Sequence, residues 1–491
     1  GALYLNDSFP LIATCFTTHA TVIGRCLAGN GWPLYDKLGE YNGDQMAREF
    51  NVISKQSLEK ISANNVDAFT TVSDITAKEC TQFLEKDVDI VTPNGFEDTF
   101  VPDIENFDKK RKLASEKLIK VVDVLCDQKT SKDTILIATS GRYEYKNKGI
   151  DLFIDALGEL NNSDELKRDV VAFIMIPANN YGPRKELVNN LANSNHTDRI
   201  ENKILTHNLH DADLDPVLNQ LKKWGLDNRK ENKVKVIFVP SYLNGDDEIF
   251  NMKYYDLLIG LDLTVFASYY EPWGYTPLES LAFHVPTVTT SLAGFGKWVN
   301  TELSEKQNAV VVINRTDTNN EEVVNGIVDK IIDCSNKDIS EKSIIKKNAY
   351  DISRIALWSN LIDNYRYAYS IAIEKLIKRK ENFTDLVPVE TTSRVLKSEF
   401  EKPKWKSILV RSKLPEKFSG LIEIASNLWW TWNYRAIEVF KLIDVDLWRE
   451  TRYNPIALLE DVTISRFNEL ANDKNFVSKY EDIYNEFKNY L

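Results

Sequence analysis

Short runs of apolar and β-branched residues alternate with amphipathic stretches over the first three hundred residues. The runs are LIATCFTT, DAFTTVS, DIVTP, TILIATS, VVAFIMIPA, VKVIFVPS, DLTVFAS and PTVTTS. Helical stretches such as MAREFNVISKQSLEKIS and GIDLFIDALGEL separate many of them. Continuous apolar runs, rather than alternating ones, are typical of strands that are covered on both faces. The pattern therefore predicts an α/β fold with parallel, doubly wound sheets.

A long polar helix, ENFDKKRKLASEKLIKVVDVLCDQKTSKD, divides the strands into two sets. This division predicts two Rossmann-like domains, 1–130 and 131–345, which face a ligand cleft at the carboxyl ends of their strands. Helices are predicted at 346–380. A linker with two prolines follows at 381–406, and an α-helical, tryptophan-rich region is predicted at 407–491.

Composition excludes several classes of function. The 491 residues are 43% hydrophobic and 27% charged, which is typical of a soluble globular protein. A net charge of -12 argues against a nucleic-acid surface. The five cysteines have no paired spacing and indicate reduced thiols in a cytoplasmic protein, and the five scattered histidines make a metal site unexpected. No apolar run is long enough to suggest a membrane partner.

The first chemistry-bearing stretch is TSGRYEYKNKGID, residues 139–151, which leads from a strand into a helix. Arg142 and Lys148 lie on the loop, where both can turn toward one point. Two cations beside a helix N-terminus make a site for a diphosphate. A solvated loop that happens to be basic is the alternative explanation, and spacing alone leaves both open.

The second stretch, DLTVFASYYEPWGYTPLESLAF, is predicted to be a strand, a turn and a helix. Thr276 is expected to cap the helix, Pro277 suits its first position, and Glu279 completes a capping box. Glu279 therefore has a purely structural explanation. Glu271 has none, because it lies just past a strand end, where α/β enzymes place working residues. The free N–H groups of this helix also predict phosphate binding.

Two weaker candidates lie in the first domain. FTTHATVIGR places His19 just after a buried strand, with Arg25 six residues later, and VTPNG ends another strand at Asn94. Each by itself is typical of an ordinary loop or turn.

Taken together, these stretches resemble, in order and spacing, the glycogen synthase family of fungal and animal type, glycosyltransferase family 3. FTTVSDITAKE and SLAGFG belong to the same set, and the resemblance covers roughly residues 10–375. It implies a GT-B architecture and retaining transfer of glucose from a nucleotide sugar to the non-reducing end of an α-1,4-glucan. UDP-glucose is the first expectation for the donor and ADP-glucose the second. Neither a metal nor a cofactor is expected.

The resemblance also implies roles for the candidate residues. Arg142 and Lys148 are expected to grip the donor diphosphate, and Glu271 to lie by the donor glucose. No covalent nucleophile is expected, so the resemblance favours a front-face displacement. The other implied roles are glucose contact for His19, ribose binding for Glu279, stacking on the base for Tyr254, phosphate contact for Thr276, donor binding for Tyr275 and Gly274, and a place in the cleft for Arg25 and Asn94.

The chain departs from the family in three ways. The glycine-rich donor loop and the first strands are expected to precede residue 1. The arginine-rich helix that binds glucose 6-phosphate is not evident at 346–366, so activation by that ligand is not expected. Residues 407–491 resemble the helical region that opens bacterial α-glucan phosphorylases, whose pyridoxal-phosphate-binding part is not in this chain.

We therefore interpret the chain as the middle of a synthase–phosphorylase fusion of bacterial type. The alternative hypothesis is a catalytically incomplete fragment or a glucan-binding scaffold, with phosphorylase activity elsewhere in the parent chain. Homo-oligomer formation stays open.

Overall fold

The computed structural model divides the chain into two compact units, Gly1–Thr384 and Asp385–Leu491. It describes residues 1, 4–5, 9, 11–193, 198–303, 308–381, 473–475 and 477–478. Of the predicted linker at 381–406 only Glu381 is described, and the helical region predicted at 407–491 lies almost entirely outside the described residues.

The first unit begins with a small parallel sheet and the helices that cover it. The elements in chain order are β1 (Cys15–Thr18), α1 (Val22–Gly29), a 3₁₀ turn (Leu38–Glu40), α2 (Gly43–Glu49), α3 (Ile53–Asn65), β2 (Ala68–Thr71), α4 (Asp74–Leu84) and β3 (Ile90–Val91). The strand order is β1-β2-β3, with β2 buried along its whole length. The stretch MAREFNVISKQSLEKIS, predicted as one helical segment, forms two helices, because Asn51 takes a left-handed conformation (φ 55°) between them.

A larger parallel sheet follows, after the long helix α5 (Ile104–Cys126). Its strands occur in the order β11-β10-β9-β4-β5-β8, and every neighbouring pair is parallel. The strands and helices of this part are β4 (Ile135–Ser140), α6 (Ile150–Asn162), β5 (Val170–Met175), β6 (Asn180–Pro183), α7 (Lys185–Ala192), β7 (His207–Leu209), α8 (Pro216–Trp224), β8 (Val234–Val239), α9 (Tyr254–Leu258), β9 (Leu263–Val265), α10 (Tyr275–Ala282), β10 (Thr287–Thr290), α11 (Gly294–Glu302), β11 (Val310–Ile313), α12 (Asn320–Asn336), α13 (Ile339–Ile355) and α14 (Trp358–Glu381).

The central strands of the larger sheet are buried on both faces, as their continuous apolar runs predict. Along β4, Ile135 and Ile137 pack into the core on one face, whereas Leu136 and Ala138 pack into the core on the other. Burial of each such isoleucine or leucine side chain contributes about 1.5–3 kcal/mol. The prediction of an α/β fold with parallel sheets is confirmed, and the division into domains 1–130 and 131–345 stays a prediction.

The topology places a crevice at β4. From this strand the chain continues through β5 and β8 on one side, and returns through β9, β10 and β11 on the other. The carboxyl ends of β4 and β9 therefore lie side by side at a switch point, where open α/β sheets bind ligands.

The last helix of the series returns to the smaller sheet. Along α14, the Tyr365 hydroxyl donates to the Thr92 carbonyl at 3.2 Å, and Lys375 pairs with Asp89 at 2.5 Å. Helix α14 therefore follows the larger α/β part in the chain and packs against the region around β3 in the smaller sheet.

Candidate active site

The two loops at the switch point contact each other closely. Gly149, the residue before α6, has φ 66°, and a Cβ there would collide with the carbonyl oxygen of Ala267, just past β9. Only glycine satisfies both the left-handed backbone and the close approach. The loop that carries Arg142 and Lys148 is therefore packed directly against the loop that carries Glu271.

Lys148 and Glu271 form an ion pair, and each side chain is only 16% exposed. Arg142 instead pairs with Glu144 at 3.0 Å, and its side chain is 66% exposed. The structure thus brings Lys148 to the acid of the neighbouring loop, and leaves Arg142 at the mouth of the site. The Glu271 carbonyl also accepts a hydrogen bond from Gly294 N–H at 2.9 Å, so its backbone is fixed.

The predicted capping box at Thr276 is wrong. Helix α10 begins at Tyr275, its N-cap is Gly274 (φ 105°), and no side chain caps it. Because glycine enters the left-handed region without strain, the chain turns into the helix before Thr276 can act as a cap. Pro277 then occupies the third helical position, still within the turn whose N–H groups have no intrahelical acceptor.

Glu279 consequently has a different partner from the one predicted. The Tyr255 hydroxyl donates to its Oε1 at 2.8 Å. Burial raises the pKa of the Glu279 carboxyl, and this hydrogen bond opposes the rise. Tyr255 was not identified by sequence reasoning, because nothing local links α9 to α10.

A cavity of about 420 Å³ opens beside these loops. Three predicted donor-site residues line it, namely Arg142, Tyr254 and Thr276. The Tyr254 hydroxyl lies 2.7 Å from the Ser140 hydroxyl at the end of β4, which fixes the ring. Sequence reasoning did not identify Tyr242, an exposed aromatic residue at the same cavity.

Polar and aromatic contacts from other elements hold the loop before Glu271. The Tyr269 hydroxyl donates to Asp317 at 2.8 Å and accepts the Leu34 N–H at 2.8 Å. The guanidinium of Arg315 lies over the Tyr269 ring, 5.4 Å from its centroid. In the sequence, only the tyrosine doublet of YYEPWG pointed to Tyr269 as a residue that holds this loop, and the sequence prediction did not include it.

The first α/β part contributes two exposed candidates. His19 lies in the turn after β1, and Arg25 lies on α1. Among the described residues neither side chain has a hydrogen bond or ion pair. The neighbouring Thr21 is in contact with the loop of the second part, because the Tyr270 hydroxyl reaches its carbonyl at 3.4 Å.

The remaining candidates differ in exposure. Tyr275 is 42% exposed and Gly274 is buried. Asn94 is only 5% exposed and accepts a hydrogen bond from Tyr365 at 3.2 Å. It does not line the 420 Å³ cavity.

Within the described ranges, no group of three or more histidine, cysteine, aspartate or glutamate residues is arranged to hold a metal ion. A search of the helices in the same ranges finds none with the length and apolarity needed to cross a membrane.

An α/β part with two parallel sheets carries cationic and acidic loops at a switch point, which is where open α/β sheets bind ligands. The family model described as "Glycogen synthase" matches residues 5–200 and 194–412. The chain belongs to the glycogen synthase family. A second model, described as "Protein of unknown function (DUF3417)", matches residues 414–491. The resemblance of that region to α-glucan phosphorylases stays a prediction.

Curated relatives agree with the family. Glycogen [starch] synthase of Caenorhabditis elegans is 30% identical over an alignment of length 423, and the match covers 74% of this chain and 63% of that protein. Isoform 1 of Saccharomyces cerevisiae is 29% identical over an alignment of length 445, and the match covers 77% of this chain and 62% of that protein. The chain therefore spans somewhat under two thirds of the length of these relatives.

Among solved structures, sucrose-phosphate synthase from Thermosynechococcus elongatus aligns at 13% identity with a TM-score of 0.40, covering 75% of this chain and 67% of that one. A likeness at that level adds nothing to what the two sheets show.

Proposed function

We propose that this chain carries the donor site and the catalytic cleft of a retaining glycogen synthase. The reaction is transfer of glucose from a nucleotide sugar, UDP-glucose in the first instance, to the non-reducing end of an α-1,4-glucan. Family membership supports the reaction class. The single structural observation that carries the proposal is the cavity lined by Arg142, Tyr254 and Thr276, beside the Lys148–Glu271 pair.

The charges of the cavity suit a nucleoside diphosphate sugar. Arg142 supplies a cation at the mouth, and the first turn of α10 offers free N–H groups next to Thr276. The Tyr254 ring offers a face on which a base can stack. Glu279, which accepts a hydrogen bond from Tyr255, is the candidate partner for the ribose hydroxyls.

The chemistry follows from fixed charge. As the bond between the anomeric carbon and the diphosphate oxygen breaks, negative charge builds on the leaving group, and Arg142 and Lys148 stabilise it. The glucan hydroxyl attacks from the same face, and its proton passes to the departing diphosphate oxygen. Glu271 holds the sugar and favours positive character at its ring. The ion pair keeps Lys148 next to Glu271, the residue assigned to the sugar, which supports a role for Lys148 at the junction between sugar and diphosphate.

We propose that transfer needs neither a metal nor an organic cofactor, because these two cations supply the charge that a metal would bring to the diphosphate. Addition of EDTA is expected to leave the rate unchanged. A rate that falls with EDTA and recovers with Mg²⁺ or Mn²⁺ would contradict this part of the proposal.

The function is tested by incorporation of labelled glucose from UDP-glucose and from ADP-glucose into glycogen. Both this chain and the longer protein that contains it should be assayed. Absence of transfer by the longer protein would refute the synthase proposal. Transfer by the longer protein alone would show that this chain is a catalytically incomplete part of it.

Arg142→Ala tests the site itself. We expect kcat to fall by about 100-fold to 1000-fold, as for loss of one charge-stabilising donor, with little change in glucan binding. Arg229→Ala is the matched control, because Arg229 is also exposed and pairs with an acid two residues away, Asp227, outside the cavity. Equal losses in both variants would contradict the assignment of Arg142.

A further inference from the structure

Two buried carboxyl groups lie under the N-terminus of α1, next to the turn that carries His19. Glu59 of α3 accepts the Thr18 hydroxyl at 2.5 Å and the Val22 N–H at 3.0 Å. Glu79 of α4 accepts the hydroxyl of Thr21, the N-cap of α1, at 2.5 Å. Buried acids are costly unless hydrogen-bonded, so an arrangement of two at one helix end calls for an explanation.

Glu79 differs from Glu59 in having a partner from the second α/β part. The Tyr270 hydroxyl donates to its Oε2 at 3.3 Å, from a position 191 residues away in the chain. Tyr270 is 3% exposed and directly precedes Glu271. Glu79 is 1% exposed, so this contact is sealed from water. One carboxyl group therefore bridges the loop of Glu271 and residues 18–25, which carry His19 and Arg25, alongside the direct contact of Tyr270 with the Thr21 carbonyl at 3.4 Å.

The backbone is shaped to admit this carboxyl. A Cβ on Gly24, in the first turn of α1, would collide with Glu79 Oε2, and would lie 2.6 Å from Thr21 Oγ1. Only the absence of a side chain at Gly24 lets the acid reach Thr21. Burial raises the Glu79 pKa to about 8, so the group is mainly a neutral acid at neutral pH.

We propose that Glu79 is a positioning residue. It fixes residues 18–25, which carry His19 and Arg25, relative to the Glu271 loop. This role rests on the proposed glycosyl transfer, because that reaction requires the two segments to keep a fixed position relative to each other. Glu79 touches neither donor nor acceptor. It acts through Thr21 on one side and through Tyr270 on the other.

The first test is a double-mutant cycle in the longest active form of the protein. Glu79→Ala is expected to lower kcat about 10-fold to 100-fold, since small misplacements of catalytic groups cost rates of this order. The KM for the nucleotide sugar should change little, because Arg142, Tyr254 and Thr276 all lie in the second α/β part. Tyr270→Phe, which keeps the ring and the packing, should lower kcat in the same direction.

In the Glu79→Ala background, Tyr270→Phe should cost much less than in the wild type, because only the direct 3.4 Å contact of Tyr270 with the Thr21 carbonyl is left to lose. Glu79→Gln, which restores a neutral hydrogen-bonding group of the same size, is expected to recover most of the lost kcat. Additive losses, a raised donor KM with unchanged kcat, or no recovery with glutamine would each overturn the proposal.

Hydrogen exchange supplies a readout that does not need activity. In Tyr270→Phe, protection should fall in both segments, residues 18–25 and 269–273. Loosening of one segment alone would refute the bridge, even if the wild-type protein showed no transfer. Failure of the wild type to transfer glucose would instead refute the proposed function, so the two failures are distinguishable.

Discussion

Substitution of Glu279 by glutamine separates the two explanations of this acid. A capping box accepts glutamine as well as glutamate at this position, so a purely capping role predicts little change in either helix stability or donor affinity. The structure excludes that role, because the N-cap is Gly274 and no side chain caps α10. The Tyr255 hydroxyl occupies Oε1 at 2.8 Å, and a glutamine oxygen can accept the same bond. The free energy of unfolding is therefore expected to change by no more than about 0.5 kcal/mol.

Donor affinity should change more than stability. A hydrogen bond to a charged acceptor contributes about 1.5–3 kcal/mol, and one to a neutral acceptor about 0.5–1.5 kcal/mol. Loss of the charge at Glu279 should therefore weaken UDP binding by about 1–2 kcal/mol, or roughly 5-fold to 30-fold. Titration calorimetry with UDP and thermal denaturation measure the two effects separately.

Tyr255→Phe is the matched control for this experiment. It removes the partner hydroxyl and leaves the acid in place, so a modest stability loss of about 1 kcal/mol is expected. UDP affinity should fall less than in Glu279→Gln. A Glu279→Gln variant with unchanged UDP affinity and a lowered Tm would refute the assignment of this residue to the donor.

Three further predictions concern charge, backbone and pH. Lys148→Met leaves Glu271 without its cation, and kcat should fall about 100-fold to 1000-fold in the glucose-transfer assay. Gly149→Ala places a Cβ against Ala267 at positive φ, so the free energy of unfolding, measured by denaturant titration, should fall by more than about 1 kcal/mol. Gly39→Ala is the control, because a Cβ at Gly39 meets open space and should not have this effect. Burial raises the pKa of Glu79 from 4.5 to about 8. Between these two values the folded chain holds a proton that the unfolded chain releases. The contribution of Glu79 to stability is therefore fully present below pH 4.5. It is lost as the pH rises to 8, by about 1.4 kcal/mol per pH unit.

The pH prediction is checked by the difference in Tm between wild type and Glu79→Gln, since other titrating groups cancel in that difference. As the pH rises from 5 to 8, the Tm of the wild type should fall steadily relative to the Tm of Glu79→Gln. A constant difference would show that Glu79 is ionised throughout. For Lys148→Met, unchanged kcat with a lowered Tm would assign the ion pair a structural role only.

Sequence reasoning was most successful where the determinant is local. Continuous apolar runs such as VVAFIMIPA require a strand covered on both faces, and β5 is buried along its whole length. Strand ends then place Arg142, Lys148 and Glu271 on loops at one edge of the sheet, since parallel strands share that edge. Local rules were less reliable at a helix start. A threonine followed three residues later by glutamate looks like a capping box, yet the left-handed glycine at Gly274 moves the start of the helix.

By itself, the sequence determined the parallel α/β fold, the family and the loops that carry the chemistry, because apolar periodicity and strand-end motifs are properties of contiguous residues. Only the tertiary structure decided which side chains act together. Lys148 pairs with Glu271 across 123 residues, and Glu79 meets Tyr270 across 191. Such partners are chosen by how the sheets and loops pack, and no spacing along the chain encodes a contact between elements that meet only after the chain has folded.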